Sequence, residues 1–185
     1  MGFSLDSKES LNQFLANVER RALRMARFAS RNTDEALDLV QDAMMKFAER
    51  YARRPEEEWS VLFYRILQNR ITDWHRRNMV RKRLFRWFGQ TEGEDAEGDP
   101  LDRIADVKTP GPFQKMRQVE TGAALEKAIR SLPLRQRQAF LLRAWEGLDI
   151  AQTAKVMGCS EGSIKTHYSR AVNTLRTLLE DFAHE

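Results

Sequence analysis

With 185 residues, 42% of them hydrophobic and 31% charged, the chain suffices for one large domain or two small ones, with a surface that must meet water or a charged partner. The formal net charge of +4 is modest, so any nucleic-acid footprint must lie in how Lys and Arg cluster rather than in their sum. The single cysteine, Cys159, excludes an intramolecular disulfide, and the absence of a leader-like start or of about 18 consecutive apolar residues speaks against a signal peptide or membrane insertion; the expected compartment is the cytoplasm.

Taken in chain order, apolar residues at Leu11, Phe14, Leu15, Val18, Ala22, Met25, Ala26 and Ala29 keep the three-and-four spacing of one helical face. Asn32, Thr33 and Asp34 are good N-cap residues for a second helix, whose stripe is Leu37, Val40, Met44, Phe47, Ala48 and Tyr51. Pro55 opens a third, with Glu56, Glu57 and Glu58 at the positive end of its dipole and a core stripe of Trp59, Leu62, Phe63, Ile66, Ile71 and Trp74.

That third helix is also the more basic of the two candidate nucleic-acid elements. Between Trp59 and Phe88 it carries Arg65, Arg70, Arg76, Arg77, Arg81, Lys82, Arg83 and Arg86 against Asp73 alone, interleaved with Trp59, Phe63, Tyr64, Trp74, Phe85 and Trp87. Basic groups grip phosphates, and aromatic rings stack on bases freed from a duplex, each stack contributing on the order of 1–3 kcal/mol. Trp59, Phe63 and Trp74 also fall on the core stripe, so core packing competes with base stacking at those positions. The arginine run from Arg76 to Arg83 is too dense and too uniform in sign for a merely solvated face.

After Trp87 and Phe88 the composition turns to Gly, Pro and acids: Glu92, Glu94, Asp95, Glu97, Asp99, Asp102 and Asp106 against Arg103. This reads as an acidic flexible linker over 89–112, dividing a unit at 1–88 from another at 113–185. Periodicity resumes near Phe113, continues through Leu125, Ile129 and Leu132, and stops at Pro133; a further helix runs from Leu134 to Trp145 and ends at Gly147.

The most specific local signal lies between Asp149 and Leu179. Asp149 caps a short helix, Ala154 sits where a second helix crosses closely, Gly158 suits a left-handed turn, Ser160 caps the next helix, and Ile164 plugs the crossing. This is a helix-turn-helix. The second helix turns Ile164, Tyr168, Ala171, Val172, Leu175 and Leu178 inward and Lys165, Thr166, Ser169, Arg170 and Asn173 outward, with no acid from Ser163 to Leu179. Such a face can enter a major groove and meet base edges and phosphates with donors, although helical hairpins also pack proteins together.

No segment alternates with period two, so the expected fold is all-α. His75, His167, His184 and Cys159 have no metal-ligand spacing, and the chain shows neither a phosphate loop nor a nucleophile with a neighbouring base. No enzyme activity, metal or cofactor is therefore expected, and Cys159 reads as a small packing residue.

Both halves resemble a known family. The stretches DEALDLVQDAMMKFAERY and LFYRILQNRITDWHRR resemble region 2 of bacterial RNA polymerase sigma factors, and LEKAIRSLPLRQRQAFLLRAWEGLDIAQTAKVMGCSEGSIKTHYSRAVNTLR resembles region 4. The short length points to the extracytoplasmic-function class. The resemblance implies that Asp38, Gln41, Asp42 and Phe47 lie on the helix that docks on the clamp helices of the largest polymerase subunit. It implies that Asn69, Arg70, Asp73, Trp74, Arg76, Arg77, Arg81 and Arg83 read and hold a melted −10 element. It assigns Lys165, Thr166, Ser169 and Arg170 to a duplex −35 element, and it makes core RNA polymerase, promoter DNA and an anti-sigma factor the expected partners. Many relatives carry Trp immediately before the position of Phe63, where this chain has Leu62, with Trp59 a turn earlier. The segment RLFRWFG, more apolar than an exposed tail, would dock on its own domain or on a partner. The alternative reading is a helix-turn-helix regulator acting on duplex DNA without polymerase, which leaves the aromatic-basic N-terminal helix unexplained.

Overall fold

A computed structural model of the chain describes residues 5–30, 32–87 and 112–183. Among these residues every regular element is helical. The acidic linker up to residue 111 and the last two residues of RLFRWFG, Phe88 and Gly89, lie outside the described residues, while Pro112, expected as the linker's last residue, opens a helix.

The N-terminal unit comprises α1 (Leu5–Ser30), α2 (Thr33–Tyr51) and α3 (Glu56–Trp87). Asn32 caps α2: its backbone is extended, at φ −124°, and its side chain accepts from the Glu35 amide at 3.1 Å. The core of this unit is aromatic. Phe14 of α1 lies 5.4 Å, centroid to centroid, from both Phe47 of α2 and Trp59 of α3, and Phe63 lies 6.0 Å from Phe14 and from Phe47. Tilted and edge-on rings at these separations are favourable beyond simple burial. The Trp59 indole N–H donates to the Arg54 carbonyl at 2.8 Å, so this ring enters the core with its polar atom satisfied. Trp59 and Phe63 are buried at 3% and 0% exposure, which settles the competition at those two positions in favour of packing.

The stripe expected on α2 is displaced at its start. Leu37 is 37% exposed, while Ala36, Leu39, Val40, Ala43 and Phe47 are buried. Two rows with the same spacing exist on this helix, and the one bearing small residues at 36 and 43 lies inward, because Ala lets neighbouring helices approach closely.

The C-terminal unit comprises α4 (Pro112–Ser131), α5 (Leu134–Phe140), α6 (Ile150–Met157) and α7 (Glu161–Ala183). After α5 the helix widens into a π-helical turn (Leu141–Trp145), with the Glu146 amide bonded five residues back to the Leu141 carbonyl at 3.1 Å. Gly147, at φ +70°, then reverses the chain. Asp149 and Gln152 form a reciprocal capping box at the start of α6: Asp149 Oδ1 accepts from the Gln152 amide at 2.7 Å, and Gln152 Oε1 accepts from the Asp149 amide at 2.9 Å. Gly158 terminates α6 in the left-handed region (φ 62°, ψ 42°), Ser160 accepts from the Ser163 amide at 3.2 Å to open α7, and Ile164, fully buried, fills the crossing. Nothing lies within 4 Å of a β-carbon built at Gly158, so Gly158→Ala should cost only the left-handed backbone penalty, about 1 kcal/mol, read as a lower urea midpoint.

The two units pack along a seam. It joins α3 to α6 and to the end of the π-helical turn, and α1 to α4.

Candidate nucleic-acid interfaces

On α7 the inward residues Ile164, Ala171 and Leu175 are buried, and Tyr168 is half-buried and stacked on Phe140 with centroids 6.3 Å apart. The Arg143 guanidinium lies 5.6 Å from the Tyr168 centroid and also donates to the Leu148 carbonyl, tying α7 to the turn before α6. With that face anchored, Lys165, Thr166, Ser169, Arg170 and Asn173 are all exposed together on the opposite side. Thr166 Oγ1 donates to the Gly162 carbonyl at 3.0 Å. Cys159 is half-buried and packed against the core.

The basic half of α3 presents a second charged face. Asn69, Asp73, Arg76, Arg77, Arg81 and Arg83 are exposed, whereas Arg70 and Trp74 are half-buried, Trp74 against the core. Arg70, Asp73, Arg76 and Arg77 line one open depression. Within it Asp73 faces Arg76 at 3.9 Å, and its carbonyl accepts from Arg77 Nε at 3.3 Å; Arg81 donates to Asn78 at 3.2 Å. These pairs are exposed and contribute little to stability, which leaves the guanidinium groups available to phosphates at small cost. Beyond them Val80, Leu84 and Trp87, spaced by four and three residues, share one exposed row, with Trp87 86% exposed.

On α2, Asp38, Gln41 and Asp42 are exposed on one face, and Asp42 lies 3.6 Å from Arg70 of α3. This ion pair connects two residues that the sequence placed in different sites. Phe47, expected on the same docking surface, is 0% exposed within the aromatic core; it can shape that face only by holding α2 in place. Met45, 63% exposed and one turn beyond Gln41 and Asp42, lies beside them on α2.

Sequence reasoning also missed a polar group between the units. Tyr64 of α3 donates its hydroxyl to Glu146 Oε2, and Arg21 Nε of α1 lies 3.6 Å from the same oxygen. Glu146 has a side chain only 2% exposed, and its Oε1 is buried without a protein donor. Burial pushes the Glu146 carboxyl above the ordinary carboxylate range, opposed by the Tyr64 hydrogen bond and the Arg21 charge. Burial and then the Glu146 contacts push the Tyr64 phenol well above its ordinary value. The available signal was the row Tyr64, Gln68 and Thr72, which repeats every four residues beside the core stripe of α3.

No helix among the described residues is long and apolar enough to cross a membrane. Among the described residues, no group of three or more His, Cys, Asp or Glu side chains is placed to hold a metal ion.

The models of two protein regions match the chain: Sigma-70 region 2 over residues 13–81 and Sigma-70 region 4 over residues 122–175. The extracytoplasmic-function RNA polymerase sigma factor SigM of Mycobacterium tuberculosis is 31% identical over 172 residues, covering 92% of this chain and 77% of the relative. EcfG of Rhodopseudomonas palustris, described as a factor of the same kind, is 31% identical over 159 residues, covering 83% of this chain and 78% of the relative. Among solved structures, the sigma factor RpoE of Bartonella quintana, crystallised with the anti-sigma factor NepR, is similar with a TM-score of 0.65 at 28% identity, covering 95% of this chain and 97% of that one. CnrH, solved with the cytosolic domain of CnrY, shares the fold at a TM-score of 0.56 and 18% identity, with 94% and 90% of the two chains covered.

Proposed function

The chain belongs to the extracytoplasmic-function RNA polymerase sigma factors of the sigma-70 family, and from that premise we propose how its two units divide promoter recognition. Sigma factors are transcription-initiation subunits and not enzymes. The C-terminal unit inserts the start of α7 into the major groove of a −35 element, with Lys165, Thr166, Ser169 and Arg170 as the reading residues. The N-terminal unit holds the opened −10 strand along Asn69, Arg70, Asp73, Trp74, Arg76, Arg77, Arg81 and Arg83. Asp38, Gln41 and Asp42 dock on the clamp helices of core RNA polymerase, and an anti-sigma factor regulates the whole.

The observation that carries this reading is the clean division of α7 into an anchored apolar face and an exposed acid-free face at the second helix of a helix-turn-helix. The arginine-lined depression on α3 supports a separate phosphate-gripping site. Adding the protein to core polymerase with a promoter library tests it. Transcripts from a restricted promoter set are expected, whereas duplex binding with no dependence on polymerase refutes it. Within that assay Arg170→Ala should lower use of promoters with the preferred −35 element by about 1–3 kcal/mol, roughly 5- to 150-fold, and relax base choice at one position. Unchanged promoter preference removes Arg170 from the reading set.

A further inference from the structure

The end of α3 carries an apolar row that the described residues leave uncovered. Ile71 is the last buried residue described on this helix, and every side chain from Met79 to Leu84 is exposed, as is that of Trp87. The helix nevertheless continues to Trp87, about 24 Å beyond Ile71 at roughly 1.5 Å per residue. Val80, Leu84 and Trp87 are spaced by four and then three residues, so they share one side of the helix over about two turns. They are 58%, 55% and 86% exposed. Helices draw most of their stability from packing an amphipathic face, and among the described residues nothing packs on this one.

The charges around the row decide what fits it. In helical projection, at about 100° per residue, Arg76 and Arg83 lie along one edge of the row and Arg77 and Arg81 along the other. Asp73, the acid nearest its start, faces Arg76 at 3.9 Å. An apolar strip with guanidinium groups on both edges matches a surface that is apolar within and anionic at its rim. The boundary between acyl chains and phosphate headgroups has that form: apolar side chains enter it, and arginine stems lie along it with their charged ends at the phosphates. Tryptophan, apolar in body and polar at its N–H, suits the same depth. A nucleic-acid strand would use the guanidinium groups and the Trp87 ring, but Val80 and Leu84 offer no ring on which a base can stack. Two of the three residues in the row are thus better matched by lipid than by DNA.

We propose that the segment 76–87 of α3 lies on membranes containing anionic phospholipid, with Val80, Leu84 and Trp87 in the boundary layer and Arg76, Arg77, Arg81 and Arg83 on lipid phosphates. The attachment is peripheral and reversible, since three apolar side chains anchor far less strongly than a spanning helix, and no described helix is long and apolar enough to span. The same four arginines belong to the strand-holding face proposed above, so lipid and opened strand compete for α3. That competition rests on the promoter-reading function; the lipid site does not.

Co-sedimentation of the full chain with vesicles tests the site. Vesicles of phosphatidylglycerol and phosphatidylcholine in roughly equal parts should bind the protein about tenfold or more better than phosphatidylcholine alone, and less well as salt rises. Tryptophan emission should shift to the blue on binding, and Trp87→Phe should keep the binding while losing most of the shift. Leu84→Ser combined with Trp87→Ser, both at exposed positions, should keep the helical content of the parent by circular dichroism and bind anionic vesicles about tenfold or more weakly. Arg81→Gln combined with Arg83→Gln should weaken binding and flatten its salt dependence. Equal binding to neutral vesicles, an unshifted emission, or a Leu84→Ser, Trp87→Ser variant that binds like the parent would each overturn the proposal, the last reducing it to adsorption of a basic surface. Absence of vesicle binding, with self-association that the same double substitution abolishes, would overturn it in favour of a second copy of the chain on the row. A single-stranded oligonucleotide should release the vesicle-bound protein, and simultaneous binding of both ligands would overturn the placement on this face. An oligonucleotide that the free parent does not bind counts against strand holding by α3, and the vesicle series still decides the lipid site.

Discussion

Phe47→Ala should lower the stability of the N-terminal unit by about 3–5 kcal/mol. Phe47 is 0% exposed and touches rings on all three helices of its unit: Phe14 at 5.4 Å, Trp59 at 6.1 Å, Phe63 at 6.0 Å and Tyr51 at 6.2 Å. Truncation removes the transfer free energy of the ring and leaves a cavity that rigid aromatic neighbours cannot close. A small domain has a total stability of about 5–15 kcal/mol, so the loss is a large fraction of it. Urea denaturation followed by circular dichroism measures the effect, and a loss below about 1 kcal/mol would show that the cluster repacks. Polymerase binding by this variant should fall in step with helical content, because Phe47 holds in place the helix proposed to dock and is not exposed on it.

Asp42→Arg should abolish co-purification with core polymerase while leaving the fold intact. Asp42 is exposed, its side chain 57% accessible, so the new side chain meets no steric obstacle. Its partner Arg70 is 3.6 Å away and half-buried, and replacing an ion pair at a solvent-accessible carboxylate by a repulsion changes stability by roughly 0–1 kcal/mol. At a docking face the same reversal sets like charges together, which costs several kcal/mol. A thermal midpoint close to that of the parent, with polymerase retention lost, is the expected pair of results. Normal retention would remove Asp42 from the docking surface. Because Asp42 also faces Arg70, the variant frees that guanidinium toward the depression on α3, and single-stranded DNA binding by the isolated subunit should be preserved or stronger.

The helix-turn-helix was legible residue by residue. Asp149, Gly158, Ser160 and Ile164 perform the roles that their chemistry predicts: cap, left-handed turn, cap and crossing plug. Local rules suffice there, since capping and turn formation involve neighbours within a few residues. Exposure of the five outward residues of α7 followed from the same periodicity. On α2 the reading was less complete, because two rows of equal spacing competed and Leu37 was chosen where Ala36 and Leu39 are buried. Phe47 was assigned to a binding face by resemblance, and its complete burial corrects that.

What the amino-acid order determined by itself is therefore the set of helices, their caps, the division into two basic units and the outward charge of α7, all consequences of short-range spacing. What only the tertiary structure decided is the meeting of those units. Tyr64 and Glu146 are 82 positions apart, and the widened π-helical turn at Leu141–Trp145, which leads directly into Glu146, carries no residue pattern of its own. Periodicity reports that a side of a helix is buried but not against what, and a carboxylate placed next to a distant phenol leaves no trace in the spacing around either.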